Sequence, residues 1–121
     1  MVVVGCGGLG GYVIEILGRF GIGYLKIIDG DVFAPSNLNR QVFAFQSSIG
    51  RNKAEFTKEA MKDINEEIKV VAVAQMLGED NAEIHLKKMD LVVDCLDNIN
   101  TSLLLQDFCK KSLIFLWSMV L

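Results

Sequence analysis

Proline is nearly absent. Pro35 is the only one in the 121-residue chain, and no linker, repeat or low-complexity tract divides it. Length and composition together fit one domain. Histidine is as scarce: His85, among charged residues, reads as a solvated side chain and offers no histidine-based catalytic group. The three cysteines, Cys6, Cys95 and Cys109, are odd in number and match neither a disulfide framework nor a zinc spacing. A reducing cytoplasm is the expected compartment. A positive excess is missing too. The net charge is -3, which leaves no basic field for nucleic acid, and Lys87-Lys88 reads as a solvated helix end. No apolar run approaches the roughly 20 residues of a membrane span. Met1–Val4 lacks the basic flank of a signal peptide. With 51% apolar residues, disorder is excluded.

What is present is a regular alternation of short apolar runs and helix-period stretches. Val2–Val4 reads as a first strand and Leu9–Phe20 as a helix, with Leu9, Val13, Ile14, Leu17 and Phe20 on one face. Gly21 and Gly23 end that helix. Tyr24–Ile28 is a second strand. Residues 30–50 form a long polar connection carrying Phe33, Phe43 and Phe45, a length that marks function in a compact domain. Lys53–Asn65 is helical. Ile68–Ala74 is a third strand. Asn81–Met89 is a short helix capped by Asn81. Leu91–Cys95 is a fourth strand, Asn100–Lys111 a helix, and Leu113–Val120 a fifth, buried strand with Trp117 in the core. Strands each followed by a helix imply an α/β fold: a Rossmann-like, doubly wound, mostly parallel sheet with helices on both faces.

Gly5-Cys6-Gly7-Gly8-Leu9-Gly10 follows the first strand and opens the first helix, which is the setting that a GxGxxG loop requires. Gly5 permits the tight turn, Gly7 the approach of a phosphate, and Gly10 close packing of helix on strand. The helix start offers free N–H groups to an anion. Asp29 closes the second strand, about twenty residues on, where an acid accepts from ribose hydroxyls. These features suit NAD and ATP equally.

The following segments separate the two. Asp29-Gly30-Asp31, Ser36-Asn37-Leu38-Asn39-Arg40-Gln41, Gly50-Arg51-Asn52-Lys53 and Asp94-Cys95-Leu96-Asp97-Asn98 bring cations and a carboxylate to the loops. A triphosphate needs these and a nicotinamide does not. Arg40 presents a planar fork to phosphate oxygens, and Lys53 a point charge near a helix start. Asp97 presents a hard oxygen to magnesium, and it also stands where it can cap the next helix. In a doubly wound sheet the loops after strands one and four face each other across the switch-point crevice. Asp31 reads as a loop organiser. Cys6 reads as packing inside the glycine loop, Cys95 as buried, and Cys109 as inward on its helix.

These five motifs, in this order, resemble the ThiF/MoeB/HesA family of the ubiquitin-activating enzyme superfamily, and the resemblance covers essentially the whole chain. It implies that Gly5, Gly7, Gly8 and Gly10 line the nucleotide and that Asp29 holds the ribose. It implies further that Ser36, Asn37, Arg40 and Lys53 contact the phosphates, that Asp97 holds magnesium, and that Asp97 and Asn98 both belong to the cofactor-binding set. The implied activity is that of an ATP-dependent adenylyltransferase. ATP and Mg would act on the C-terminal glycine carboxylate of a ubiquitin-like or sulfur-carrier protein, giving an acyl-adenylate and pyrophosphate. Arg40, Lys53 and Asp97 would be the catalytic set. Such a carboxylate, with a pKa of about 3.3–3.7, is already ionised and needs no general base. A homodimer, and a role in thiamine or molybdopterin biosynthesis, are implied by the resemblance alone.

Ser102 departs from the pattern, since most members carry an arginine there. Trp117-Ser118-Met119-Val120-Leu121 is bulkier than the small residues usual after the fifth strand. The abrupt ends lead us to expect residues 1–121 to be a single ATP-binding domain from a longer chain. Two other readings stay open. A NAD-dependent dehydrogenase shares the glycine loop and Asp29. A catalytically inactive nucleotide-binding or dimerisation half is suggested by Ser102.

Overall fold

The computed structural model describes residues 1–119. Five strands, β1 (Val2–Val4), β2 (Tyr24–Ile28), β3 (Lys69–Val73), β4 (Leu91–Asp94) and β5 (Phe115–Ser118), form one sheet. The strand order is β3-β2-β1-β4-β5 and every pairing is parallel. Helix α1 (Gly8–Arg19) links β1 to β2, and α2 (Lys53–Ile64) links β2 to β3. Helix α3 (Ala82–Leu86) and α4 (Ile99–Ser112) follow β3 and β4. This is the expected doubly wound α/β sheet.

Burial dictates this order. β1 is three valines, each no more than 1% exposed, as a strand with neighbours on both edges and helices on both faces must be. Val3, Ile14, Leu25, Ile27, Ala54 and Met61 belong to a core on the α1 and α2 face. Val2, Val4, Ile28, Val92, Leu86 and Leu105 belong to a second core on the α3 and α4 face. The alternation along β1 sends successive side chains to opposite cores.

Several readings of the sequence need correction. Phe20 is 84% exposed rather than inward, because α1 ends at Arg19 and the chain turns away at Gly21. β5 is a short edge strand. Ile114 and Leu116 pack against the core on the α4 side, whereas Phe115 and Trp117 alternate to the other face, where the α1 and α2 core reaches Val93 of β4 and includes no residue of β5. Trp117 is therefore 61% exposed and not core. Val120 lies outside the described residues. Cys95 is half-buried just past the end of β4, while Cys6 and Cys109 are buried as expected. Asn81 stands at the N-terminus of α3, but its side chain accepts from Gly78 N–H and closes the preceding turn. No helix among the described residues is long and apolar enough to cross a membrane.

Strand register brings three loops together. Val4 pairs with Ile28 on one side and Asp94 on the other. The next residues, Gly5, Asp29 and Cys95, therefore leave the sheet side by side at its carboxyl edge.

Candidate active site

The crevice at that edge is a cleft of about 790 Å³, lined by the glycine loop, the loops after β2 and β4, and the starts of α2 and α4. This lies within the size range of small-ligand sites. Gly5 makes the first turn with φ +100°, a conformation only glycine adopts freely, and a Cβ there would meet the Cys95 carbonyl oxygen at 2.9 Å. A Cβ on Gly10 would run into the Gly5 carbonyl. Gly10 thus packs helix on strand and does not line the cleft, whereas Gly5, Gly7 and Gly8 do. Gly7 is the N-cap of α1 and no side chain caps it, so the first helical N–H groups are left to whatever occupies the cleft.

Asp29 anchors this loop. Its Oδ2 accepts from Cys6 N–H at 2.7 Å and its Oδ1 from Asp31 N–H at 2.8 Å. Burial raises its pKa; those two N–H groups and Lys53 oppose the rise. The carboxylate lines the cleft as expected, and it also holds two strand-end loops together.

Lys53 is the first residue of α2 and only 8% exposed. Its Nζ lies 5.7 Å from the centroid of the Phe33 ring, and among the described residues it makes no ion pair. A buried cation facing a cleft without an ion pair, with Asp29 acting on it only at a distance, is an electrostatic demand for an anion. Asn52 fixes its position. The Asn52 Oδ1 caps α2 by accepting from Glu55 N–H, and its Nδ2 donates to the carbonyls of Asp29 and Asp31 at 2.9 and 3.1 Å. Lys53 N–H also donates to the Asp31 carbonyl, so Asp31 is the loop organiser expected. Asn52 was not among the expected site residues; an N-cap signature before Lys53 was the available signal.

Arg40 is exposed and lines the cleft, with Nη1 donating to the Ser36 carbonyl at 2.9 Å. Ser36 and Asn37 do not line it. Ser36 serves through that carbonyl, and the buried Asn37 turns its Oδ1 to Ala34 N–H at 2.8 Å, closing its own turn. The motif residue that faces the cleft beside Arg40 is Gln41, buried and against Gly7. At Asn37 a backbone N–H of the tight turn claims the side chain first, while Ser36 takes part through its carbonyl.

Across the cleft, Asp97 is exposed and Asn98 caps α4 by accepting from Thr101 N–H. Asp97 is thus not the cap, and its carboxylate stays at the cleft surface. Asp94, at the end of β4, is buried and accepts from Leu96 N–H. Among the described residues no group of three or more metal-ligating side chains exists. The one carboxylate that is exposed on this wall of the cleft, Asp97, is a hard oxygen donor of the kind magnesium takes together with phosphate oxygens. Ser102 lines the cleft with Thr101 and Gln106, so this wall is neutral.

Comparison with known proteins points to one family. The model of the ThiF family matches residues 1–120. The tRNA threonylcarbamoyladenosine dehydratase of Haemophilus influenzae is 38% identical over 113 residues, which are 93% of this chain and 43% of that protein. The mouse adenylyltransferase and sulfurtransferase MOCS3 is 38% identical over 109 residues, 90% of this chain and 24% of that protein. The chain therefore spans under half the length of these relatives. Among solved structures, E. coli tRNA N6-threonylcarbamoyladenosine dehydratase in complex with ATP superposes with a TM-score of 0.93 at 33% identity, covering 97% of this chain and 49% of that one.

Proposed function

This chain belongs to the ThiF family, and from that premise we propose that it is the ATP-binding domain of an adenylyltransferase. Its substrate would be the C-terminal glycine carboxylate of a ubiquitin-like or sulfur-carrier protein. The observation that carries the reading is the unpaired, buried Lys53, converging with Arg40 and the uncapped start of α1 on one cleft, opposite the Asp97 carboxylate. The ATP in the E. coli relative supports the choice of nucleotide.

In this reading the acceptor carboxylate oxygen bonds to the α-phosphorus of ATP, the bond from that phosphorus to the bridging oxygen breaks, and pyrophosphate leaves. No proton moves, so no general base is required. The glycine-loop N–H groups hold phosphate oxygens. Lys53 and Arg40 neutralise the charge that grows on the leaving pyrophosphate, as in other phosphoryl transfers. Asp29 keeps the glycine loop in place and accepts from a ribose hydroxyl. Asp97, with Asn98 fixing the start of α4 beside it, would hold magnesium, which supplies further neutralisation of the phosphates. A dehydrogenase leaves Lys53, Arg40 and Asp97 without partners, and an inactive half has no use for a buried cation.

A second reading, with a tRNA nucleoside as acceptor, is favoured by the names of the H. influenzae and E. coli relatives. Calorimetry tests the nucleotide first: binding of ATP that depends on magnesium, with no binding of NAD, is expected, and the reverse pattern refutes the proposal. ATP–pyrophosphate exchange, measured with carrier protein or with tRNA added, then separates the two acceptors. A homodimer, expected in such an enzyme, is checked by sedimentation.

A further inference from the structure

Gln41 is only 8% exposed, and its Oε1 is fully buried with no hydrogen-bond partner among the described residues. Its backbone is well held: N–H donates to the Asn37 carbonyl at 2.9 Å, and the carbonyl accepts from Ala44 N–H at 3.0 Å. The unmet demand therefore lies in the carboxamide alone. That carboxamide lies against the glycine loop, with Nε2 3.4 Å from where a Cβ of Gly7 would stand, and Gln41 lines the cleft. A buried amide end without a partner is rare and destabilises the free protein.

We propose that Gln41 is a nucleotide-binding residue whose carboxamide is left unsatisfied in the free protein and donates to a phosphate oxygen at the glycine loop when ATP is bound. The inference rests on the nucleotide reading above. The ligand class follows from the neighbours, because Arg40, Lys53 and the start of α1 all select an anion at this place. Of the two ends of the carboxamide, Nε2 stands nearer the place of a Gly7 Cβ, at 3.4 Å against 3.9 Å for Oε1, so the donor end already faces the loop and no rotation is needed. Such a neutral donor adds a directed hydrogen bond without adding charge.

The test compares Gln41→Met with the wild-type chain, reading thermal stability without ligand and affinity for MgATP. Methionine keeps the shape and removes both polar ends. Our expectation is that the free variant melts no lower than wild type while its Kd for MgATP rises about tenfold or more, as for loss of a hydrogen bond to a charged group. Gln41→Glu, which sets a carboxylate against the phosphate, should weaken MgATP binding further while leaving adenosine binding unchanged. A lower melting temperature for Gln41→Met with unchanged affinity would make Gln41 a structural residue and overturn the inference. Unchanged affinity in both variants overturns it as well, and leaves the nucleotide reading intact. Failure of the wild-type chain itself to bind MgATP removes both.

Discussion

Lys53 shows how one side chain can be read twice. On sequence alone, a lysine at the start of a helix is a surface residue unless its context argues otherwise. In the fold it is buried beside Phe33, with Asp29 close enough to feel its charge. A buried ammonium without an ion pair costs stability, and the cost is offset when an anion arrives. Lys53→Met should therefore leave the free chain at least as stable and weaken MgATP binding by about tenfold to a hundredfold. Paired melting and calorimetry measurements check this; a variant that loses stability but binds as tightly would place the lysine in the framework instead.

Helix α2 is the element that delivers that charge, and Asn52 delivers α2. This one side chain caps the helix and donates to two carbonyls of the loop after β2. Its loss uncouples α2 from the loop that carries Asp29. Asn52→Ala should lower stability by about 1–2 kcal/mol. It should also weaken nucleotide binding, although Asn52 is not among the residues lining the cleft. Denaturant titration and calorimetry on the same sample test both, and an unchanged midpoint would mean that the cap is dispensable. Asn98 differs, since that cap starts a helix whose first turn lines the cleft with neutral side chains.

At the scale of the whole molecule, all three thiols sit in settings that resist ionisation. Burial pushes Cys95 up to about 11 from an ordinary value of 9.0, and Cys6 and Cys109 are raised by the same cause. These groups are neutral in both states below pH 9.0, so their contribution is intact there; above it the unfolded chain ionises first and gains stability. Global stability should decline as pH rises from 9.0 towards about 11, and Cys95→Ala should shallow that decline. Chemical unfolding across this range measures it, and a slope equal in the variant and wild type would rule out Cys95 as a contributor. The same burial predicts that Cys6 resists thiol reagents in the folded chain.

Fold class and the ligand-bearing loops were legible in the sequence because both depend on local pattern. Valine runs divided by helix-period stretches admit one parallel architecture, and Gly5, Asp29, Lys53 and Asp97 follow or begin elements whose order places them at one edge. Tertiary structure alone decided which polar side chains of those loops are free. Asn37 is consumed by its own turn while Gln41 is left unsatisfied at the glycine loop, although the two stand in one motif. It also decided that Trp117 faces outward, because helix coverage of a sheet face depends on which strands the crossovers span. Periodicity records which face of an element is apolar; only the packed chain determines what, if anything, lies across from it.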